Sequence, residues 1–192
     1  MTVGGVETII TSSNGTSWTQ RNSGTKEILN GVTYGNELFV TVGWEGTILT
    51  SSNGTTWIQR NSGTKEILYG VNYGNRLFVT VGVSGTILTS PDGTNWTQRT
   101  SRTSKILKGL TYGNGLFVTV GRYGIIYTSS DGTTWTKRTS GTLSHLDGVT
   151  YGNGVFVTVG WEGTILTSSN GTSWTQRNSG TSKILKGVSY SQ

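Results

Sequence analysis

The run Thr11-Ser12-Ser13-Asn14-Gly15-Thr16-Ser17-Trp18 decides the fold, because it returns four more times with its tryptophan at Trp57, Trp96, Trp135 and Trp174. Each step is 39 residues (57−18, 96−57, 135−96, 174−135), with no insertion or deletion. A fixed period of this size marks one supersecondary unit repeated along the chain. In each copy an apolar run rich in Thr, Ile and Leu, suited to a strand, enters a polar turn and then meets the aromatic; residues 48 to 57 are the cleanest case. The turn reads Asn-Gly at Asn14, Asn53 and Asn170 and Asp-Gly at Asp92 and Asp131. Both pairs tolerate positive φ and are strong hairpin signals.

Working outward from Ile28, one period divides into four strands: 29–34, 38–43, 47–51 and 57–60. Turns at Gly35-Asn36, Trp44-Glu45-Gly46 and Ser52 to Gly54 separate them, and 61–66 crosses to the next copy. Four short antiparallel strands make one blade of a β-propeller. The expected architecture is therefore all-β, a five-bladed propeller of four-stranded blades forming a single domain over residues 1–192. Gly31, Gly70, Gly109, Gly148 and Gly187 recur in the inner strands, where a missing Cβ relieves crowding at the axis. Met1 to Gly4 aligns with Val40 to Gly43, and Gly187 to Tyr190 with an inner strand. The two ends are expected to pair, closing the ring and removing its open sheet edges. The alternative is that the five repeats belong to a longer ring, and would strain to close or would associate.

The repeated stretch resembles the Asp-box, or bacterial neuraminidase repeat, in the variant Thr-Ser-Pro-Asp-Gly-x-x-Trp-Thr that Thr89 to Thr97 follow, with one residue fewer between acid and aromatic than the usual box. The resemblance covers the whole chain. It implies a propeller, and a structural role for Asn14, Trp18, Asn53, Trp57, Asp92, Trp96, Asp131, Trp135, Asn170 and Trp174. It implies no particular activity, since such motifs staple unrelated proteins together.

Composition narrows the classes. Hydrophobic residues make up 32% and charged residues 12%, with 30 glycines and one proline, Pro91; that mix favours short strands and tight turns over helices. There is no cysteine, hence no disulfide framework or thiol chemistry. No apolar run reaches membrane-spanning length, and Met1-Thr2-Val3-Gly4 does not read as a signal peptide; the protein is expected to be cytosolic or to have lost a leader. The net charge of +6 is spread, with an arginine three residues after each tryptophan at Arg21, Arg60, Arg99, Arg138 and Arg177. These are expected to form a solvated ladder around the rim. A nucleic-acid partner would call for one clustered basic stripe instead.

The copies differ from one another at few places. After the second strand they read Gly5-Val6, Trp44-Glu45, Val83-Ser84, Arg122-Tyr123 and Trp161-Glu162, and at the start of the inner strand Asn30, Tyr69, Lys108, Asp147 and Lys186. In a propeller both places, and the crossing segments, open on one face. A ligand surface on a fixed scaffold would look like this; drift after duplication is the alternative. The candidate site is Trp44, Glu45, Arg122, Tyr123, Trp161 and Glu162. An exposed Trp offers a flat face to a sugar ring and its Glu accepts hydroxyl hydrogen bonds, so glycans are the first expected partner and another protein the second. His145 aligns with Ile28 and Ile106 and reads as a core substitution turned partly outward. One histidine and no cysteine hold no metal cluster. The repeated arginines point to the rim rather than forming the arginine cluster of a sialidase, and no nucleophile–base set stands out. The expected protein is a monomeric, non-enzymatic binding module, carbohydrate-binding in the first reading, without cofactor, metal, nucleic-acid or membrane partner; the alternative is a structural or protein-interaction scaffold, a trimmed or engineered repeat array with no activity of its own. The Asn-x-Thr sites at Asn14, Asn53, Asn95 and Asn170 read as turns rather than glycan acceptors.

Overall fold

The computed structural model describes residues 1–190, and their strands fall into five antiparallel sheets in chain order. The first sheet is β1 (Thr2–Gly4), β2 (Thr8–Thr11) and β3 (Thr19–Asn22). The second is β4 (Leu29–Gly35), β5 (Leu38–Gly43), β6 (Ile48–Ser51) and β7 (Ile58–Arg60). The third is β8 (Leu68–Gly74), β9 (Leu77–Gly82), β10 (Ile87–Ser90) and β11 (Thr97–Arg99). The fourth is β12 (Leu107–Gly113), β13 (Leu116–Gly121), β14 (Ile126–Ser129) and β15 (Thr136–Arg138). The last is β16 (Leu146–Gly152), β17 (Val155–Gly160), β18 (Ile165–Ser168) and β19 (Thr175–Arg177). Strands β4, β8, β12 and β16 pack against one another in that order, so the first strand of each blade faces the axis. This is a five-bladed β-propeller.

The repeated turn shows why the motif recurs. Asn53 Oδ1 accepts hydrogen bonds from the amides of Thr55 and Thr56, both 2.9 Å, and Ser51 Oγ accepts from Gly54 N at 2.9 Å. Asp92 and Asp131 accept the same bonds at 2.8–2.9 Å. The amides of Asn95 and Thr134, respectively, do most to hold these two carboxyls well below the usual carboxylate range. The indole Nε1 of Trp18, Trp96, Trp135 and Trp174 donates back to the turn glycine carbonyl, whereas that of Trp57 is buried without a partner among the described residues. The rings other than that of Trp18, which is exposed, pack between blades: Trp96 joins Val40, Val42 and Phe78, and Trp174 joins Val118, Val120 and Phe156. The buried threonines Thr41, Thr80, Thr119 and Thr158 donate to the carbonyls of Gly31, Gly70, Gly109 and Gly148 at 2.8–2.9 Å, satisfying a hydroxyl that burial alone would penalise.

The inner-strand glycines work as expected, for a Cβ on Gly31 or Gly70 would come within 2.8 or 2.9 Å of the carbonyl of Tyr69 or Lys108 on the next blade. A tighter constraint lies at the strand ends. A Cβ on Gly35, Gly74, Gly113 or Gly152 would fall inside the ring of Tyr73, Tyr112, Tyr151 or Tyr190, respectively.

The five arginines lie on the last strand of each sheet, half-buried or exposed, and each Nε donates to a threonine Oγ1 across the outer hairpin at 2.8–2.9 Å, Arg21 to Thr11 through Arg177 to Thr167. The spacing of ten residues puts the two side chains diagonally opposite on one sheet face, within reach of each other. The expected ladder between the two ends is not formed among the described residues. The first sheet has three strands, and a Cβ on Gly4 would meet nothing within 4 Å, whereas one on its copies Gly43, Gly82, Gly121 or Gly160 would collide with the carbonyl entering the inner strand. The segment 186–190 sits beside β16 as β8, β12 and β16 sit beside the inner strand before them, with Tyr190 under Gly152 and the Lys186 carbonyl near Gly148.

Candidate functional site

The site is built from three local irregularities of the blade. The first is a bulge: the ladder between the first two strands of a blade slips between Leu29 and Gly31, Leu68 and Gly70, Leu107 and Gly109, and Leu146 and Gly148. The extra residues are Asn30, Tyr69, Lys108 and Asp147. Residues at a bulge are re-aimed out of the sheet alternation, and these side chains meet between blades. Asn30 Nδ2 donates to the Leu68 carbonyl at 2.8 Å, and Lys108 Nζ lies 2.8 Å from Asp147 Oδ1, whose side chain is almost fully covered. The pair therefore ties the inner strands of two successive blades together.

The second irregularity is the tight turn after the second strand, residues 44–46, 83–85, 122–124 and 161–163. Glu45, Ser84, Tyr123 and Glu162 sit at its centre with φ of 52–60°, a left-handed conformation uncommon outside glycine. The turn is over-determined from both sides. Trp44 N donates to the Ile28 carbonyl and Trp161 N to the His145 carbonyl, at 2.9 and 2.8 Å; a Cβ on Gly46 would strike the Thr64 carbonyl. The third irregularity is that crossing segment, folded on itself by Ser62 Oγ donating to the Thr64 carbonyl at 3.1 Å and its copies. Turn and crossing segment therefore share one face.

On that face the last two blades bring Arg122, Tyr123, Trp161 and Glu162 together, and His145 joins them. Its Nδ1 accepts from the Tyr123 amide at 3.1 Å, and its ring lies 5.0 Å from Tyr123, edge-on, and 4.7 Å from Trp161. Lys105 Nζ stands 4.9 Å over the Tyr123 ring, and Ser144 Oγ donates to Glu162 Oε2 at 2.6 Å. Leu143, 82% exposed, rises from the crossing segment. A groove of about 540 Å³ reaches it from Tyr123 and Ile125, and one of about 500 Å³ from His145, Trp161 and Glu162. A smaller recess of about 60 Å³ joins Tyr69, Arg122, His145, Trp161 and the Lys108–Asp147 pair.

Trp44 and Glu45 are exposed as expected, but they line none of these three cavities. His145 stands where the other copies place Ile28, Ile67, Ile106 and Ile184; it is half-buried, and the rings of Tyr123 and Trp161 lie against it. The signal was present in that single departure from isoleucine, as it was in the variation at Lys108 and Asp147. Among the described residues no group of three or more His, Cys, Asp or Glu could hold a metal ion, and no helix is long and apolar enough to cross a membrane.

No protein-family model and no curated protein matches the chain. Solved structures do. YCF48 from Cyanidioschyzon merolae is similar over 85% of this chain and 60% of its own, with TM-score 0.67 and 18% identity. A structure of YCF48 bound to D1 peptide is similar over 92% and 62%, with TM-score 0.69 and 20% identity. The computationally designed Ika8 protein is similar over 97% and 63%, with TM-score 0.71 and 12% identity. The chain thus spans about three fifths of the length of the YCF48 structures it matches.

Proposed function

We propose that the protein is a non-enzymatic scaffold that holds a peptide segment of another protein across the face bearing Tyr123, Leu143, His145 and Trp161. The observation that carries this reading is the exposed apolar group flanked by two open grooves. Exposed aromatics that are rigidly seated make strong anchors for a partner at low entropic cost, and His145 seats both rings. The YCF48 structure bound to D1 peptide is a precedent for peptide capture on a protein of similar fold. Glycan stacking draws less support, because Trp44 and Trp161, its two expected platforms, share no cavity. A non-enzymatic role is supported by the acids of the site: Asp147 is engaged by Lys108 and Glu162 by Ser144, leaving no free pair for general acid–base work. The repeats themselves we assign to the Asp-box type, on the turn bonds accepted by Asn or Asp and the returning indole donor.

Selection from a displayed peptide library, run beside a glycan array, tests the proposal. Peptides should be enriched on the wild type and lost on a Tyr123→Ala/Leu143→Ala/Trp161→Ala variant, while Trp44→Ala/Glu45→Ala retains them. Glycan binding without peptide enrichment, or equal loss on the Trp44→Ala/Glu45→Ala variant, would overturn it.

A further inference from the structure

Three departures from the repeat meet in one place. Tyr127 stands where the other copies carry Ile10, Leu49, Leu88 and Leu166. Lys137 stands where they carry Gln20, Gln59, Gln98 and Gln176, and Arg102 where they carry Gly24, Gly63, Gly141 and Gly180. The three come from different segments of the chain, yet all line a single groove of about 490 Å³ between the third and fourth sheets, in the company of Trp135 and four threonines.

Local structure shows why they converge. Tyr127 and Lys137 are directly opposite in the ladder between β14 and β15, so their side chains leave the sheet on one face, side by side. Tyr127 is 5% exposed and packs with Trp135 in the apolar layer between the two blades. It forms the floor of the groove, and its hydroxyl has no hydrogen-bond partner among the described residues. Arg102 comes from the other side, on the segment that leaves β11. Its φ is 57°, where the glycines of the other copies have 69–77°. That left-handed conformation is uncommon outside glycine, and strain of this kind gathers at functional sites. Two of the three exchanges bring in a positive charge and the third a hydroxyl. No acid lines the groove. Among the described residues the one ion pair is Lys108 with Asp147, so neither Arg102 nor Lys137 is neutralised. Asp131, close by in sequence, turns its Oδ1 to the amides of Thr133 and Thr134 and to the Ser129 hydroxyl.

We infer that this groove binds a phosphate monoester. At neutral pH such a group carries close to two negative charges, which the two cations of the groove match. A guanidinium grips phosphate oxygens in pairs, and a lysine beside it acts as a point charge. The Tyr127 hydroxyl supplies a donor from the floor, and the open volume leaves room for whatever bears the phosphate. A carboxylate or a sulfate monoester brings one charge and leaves one cation unmatched. The site is separate from the peptide-binding face: none of Tyr123, Leu143, His145 and Trp161 lines it, and it does not depend on that reading.

Amide NMR of the labelled protein tests this. It is titrated with phenyl phosphate, phenyl sulfate, and a short phosphoserine peptide beside its unphosphorylated form. The two phosphorylated probes should give saturable shifts at residues 100–102 and 133–137, and the other two should not. The tighter of the phosphorylated pair shows whether a small ester or a protein chain brings the phosphate. Arg102→Gly/Tyr127→Leu/Lys137→Gln restores the residues of the other copies and should bind phenyl phosphate at least about tenfold more weakly. Arg102→Gly alone, which relieves the left-handed strain, should also lose affinity while its melting temperature holds or rises. Four results would overturn the inference: no saturable shift with either phosphorylated probe, an equal response to phenyl sulfate, shifts confined to the face of Tyr123 and Trp161, or variants that bind phenyl phosphate as the wild type does.

Discussion

Replacing Gly74 by alanine isolates the closest approach between blades. A Cβ at this position falls inside the ring of Tyr112, and that ring has little room to retreat, because it packs tilted against Phe117 with centroids 4.7 Å apart. Over-packing of a well-filled site costs about 1–3 kcal/mol, and driving the tyrosine off its aromatic partner adds about 0.5–1.5 kcal/mol. The sum, about 3 kcal/mol, should lower the melting temperature by roughly 6–12 °C for a domain of this size. Urea denaturation of Gly74→Ala, Tyr112→Ala and the double variant separates the clash from any strand-propensity effect. With the ring removed, the alanine should cost less than about 0.5 kcal/mol, giving a coupling energy of about 2 kcal/mol or more. Gly152→Ala should cost less than Gly74→Ala, since its ring, Tyr190, is half-exposed and has solvent to retreat into. If Gly74→Ala costs the same with and without the Tyr112 ring, the close approach is not what fixes glycine there.

Trp135→Ala should destabilise by about 3–5 kcal/mol, since this indole is buried beside Phe117, whereas Trp44→Ala should stay within about 0.5 kcal/mol; chemical denaturation compares the two. The carboxyls of Asp92 and Asp131 are held below their unfolded value, so the stability they add is present above about pH 4 and is lost as pH falls below it. Asp92→Asn/Asp131→Asn keeps the turn bonds, as Asn53 does, and its deficit relative to wild type should shrink between about pH 5 and about pH 2 in thermal melts; a constant gap would refute the assignment. His145→Ile restores the residue found at Ile106 and removes the acceptor of the Tyr123 amide. It should weaken peptide binding about tenfold while leaving the melting temperature nearly unchanged.

Much of the fold was legible because the blade is a local object. The strands, the Asn-Gly and Asp-Gly turns and the face carrying the loops follow from the residues of one period and recur in every copy. What the period does not encode is the angle between blades. Between blades side-chain volume decides, as where Trp96 meets Val40 and Val42 and Trp135 meets Val79 and Val81. The arginines show a related limit: their spacing locates them on the outer strand, but the bond from Arg60 to Thr50 depends on the hairpin register. At the site, Arg122, Tyr123, Trp161 and Glu162 were found through their departure from the other copies. His145 departs just as clearly, but a lone polar residue at an isoleucine position reads first as a flaw in the core. Only the approach of Tyr123 and Trp161 from two different blades gives it a task.

The slipped ladder at Asn30, Tyr69, Lys108 and Asp147 has a consequence for how such a protein diversifies. A residue with no opposite number in the ladder can be exchanged without shifting the pairing on either side, and so without disturbing the hydrophobic layers that the pairing holds in place. Each of the four four-stranded blades thus offers one position at which mutation leaves the strand ladder in register, and these positions sit next to one another around the axis. Duplicated units that began alike can acquire separate identities there, one letter per blade, so that an amide, a phenol, an ammonium and a carboxylate now spell out an inscription on an otherwise uniform frame.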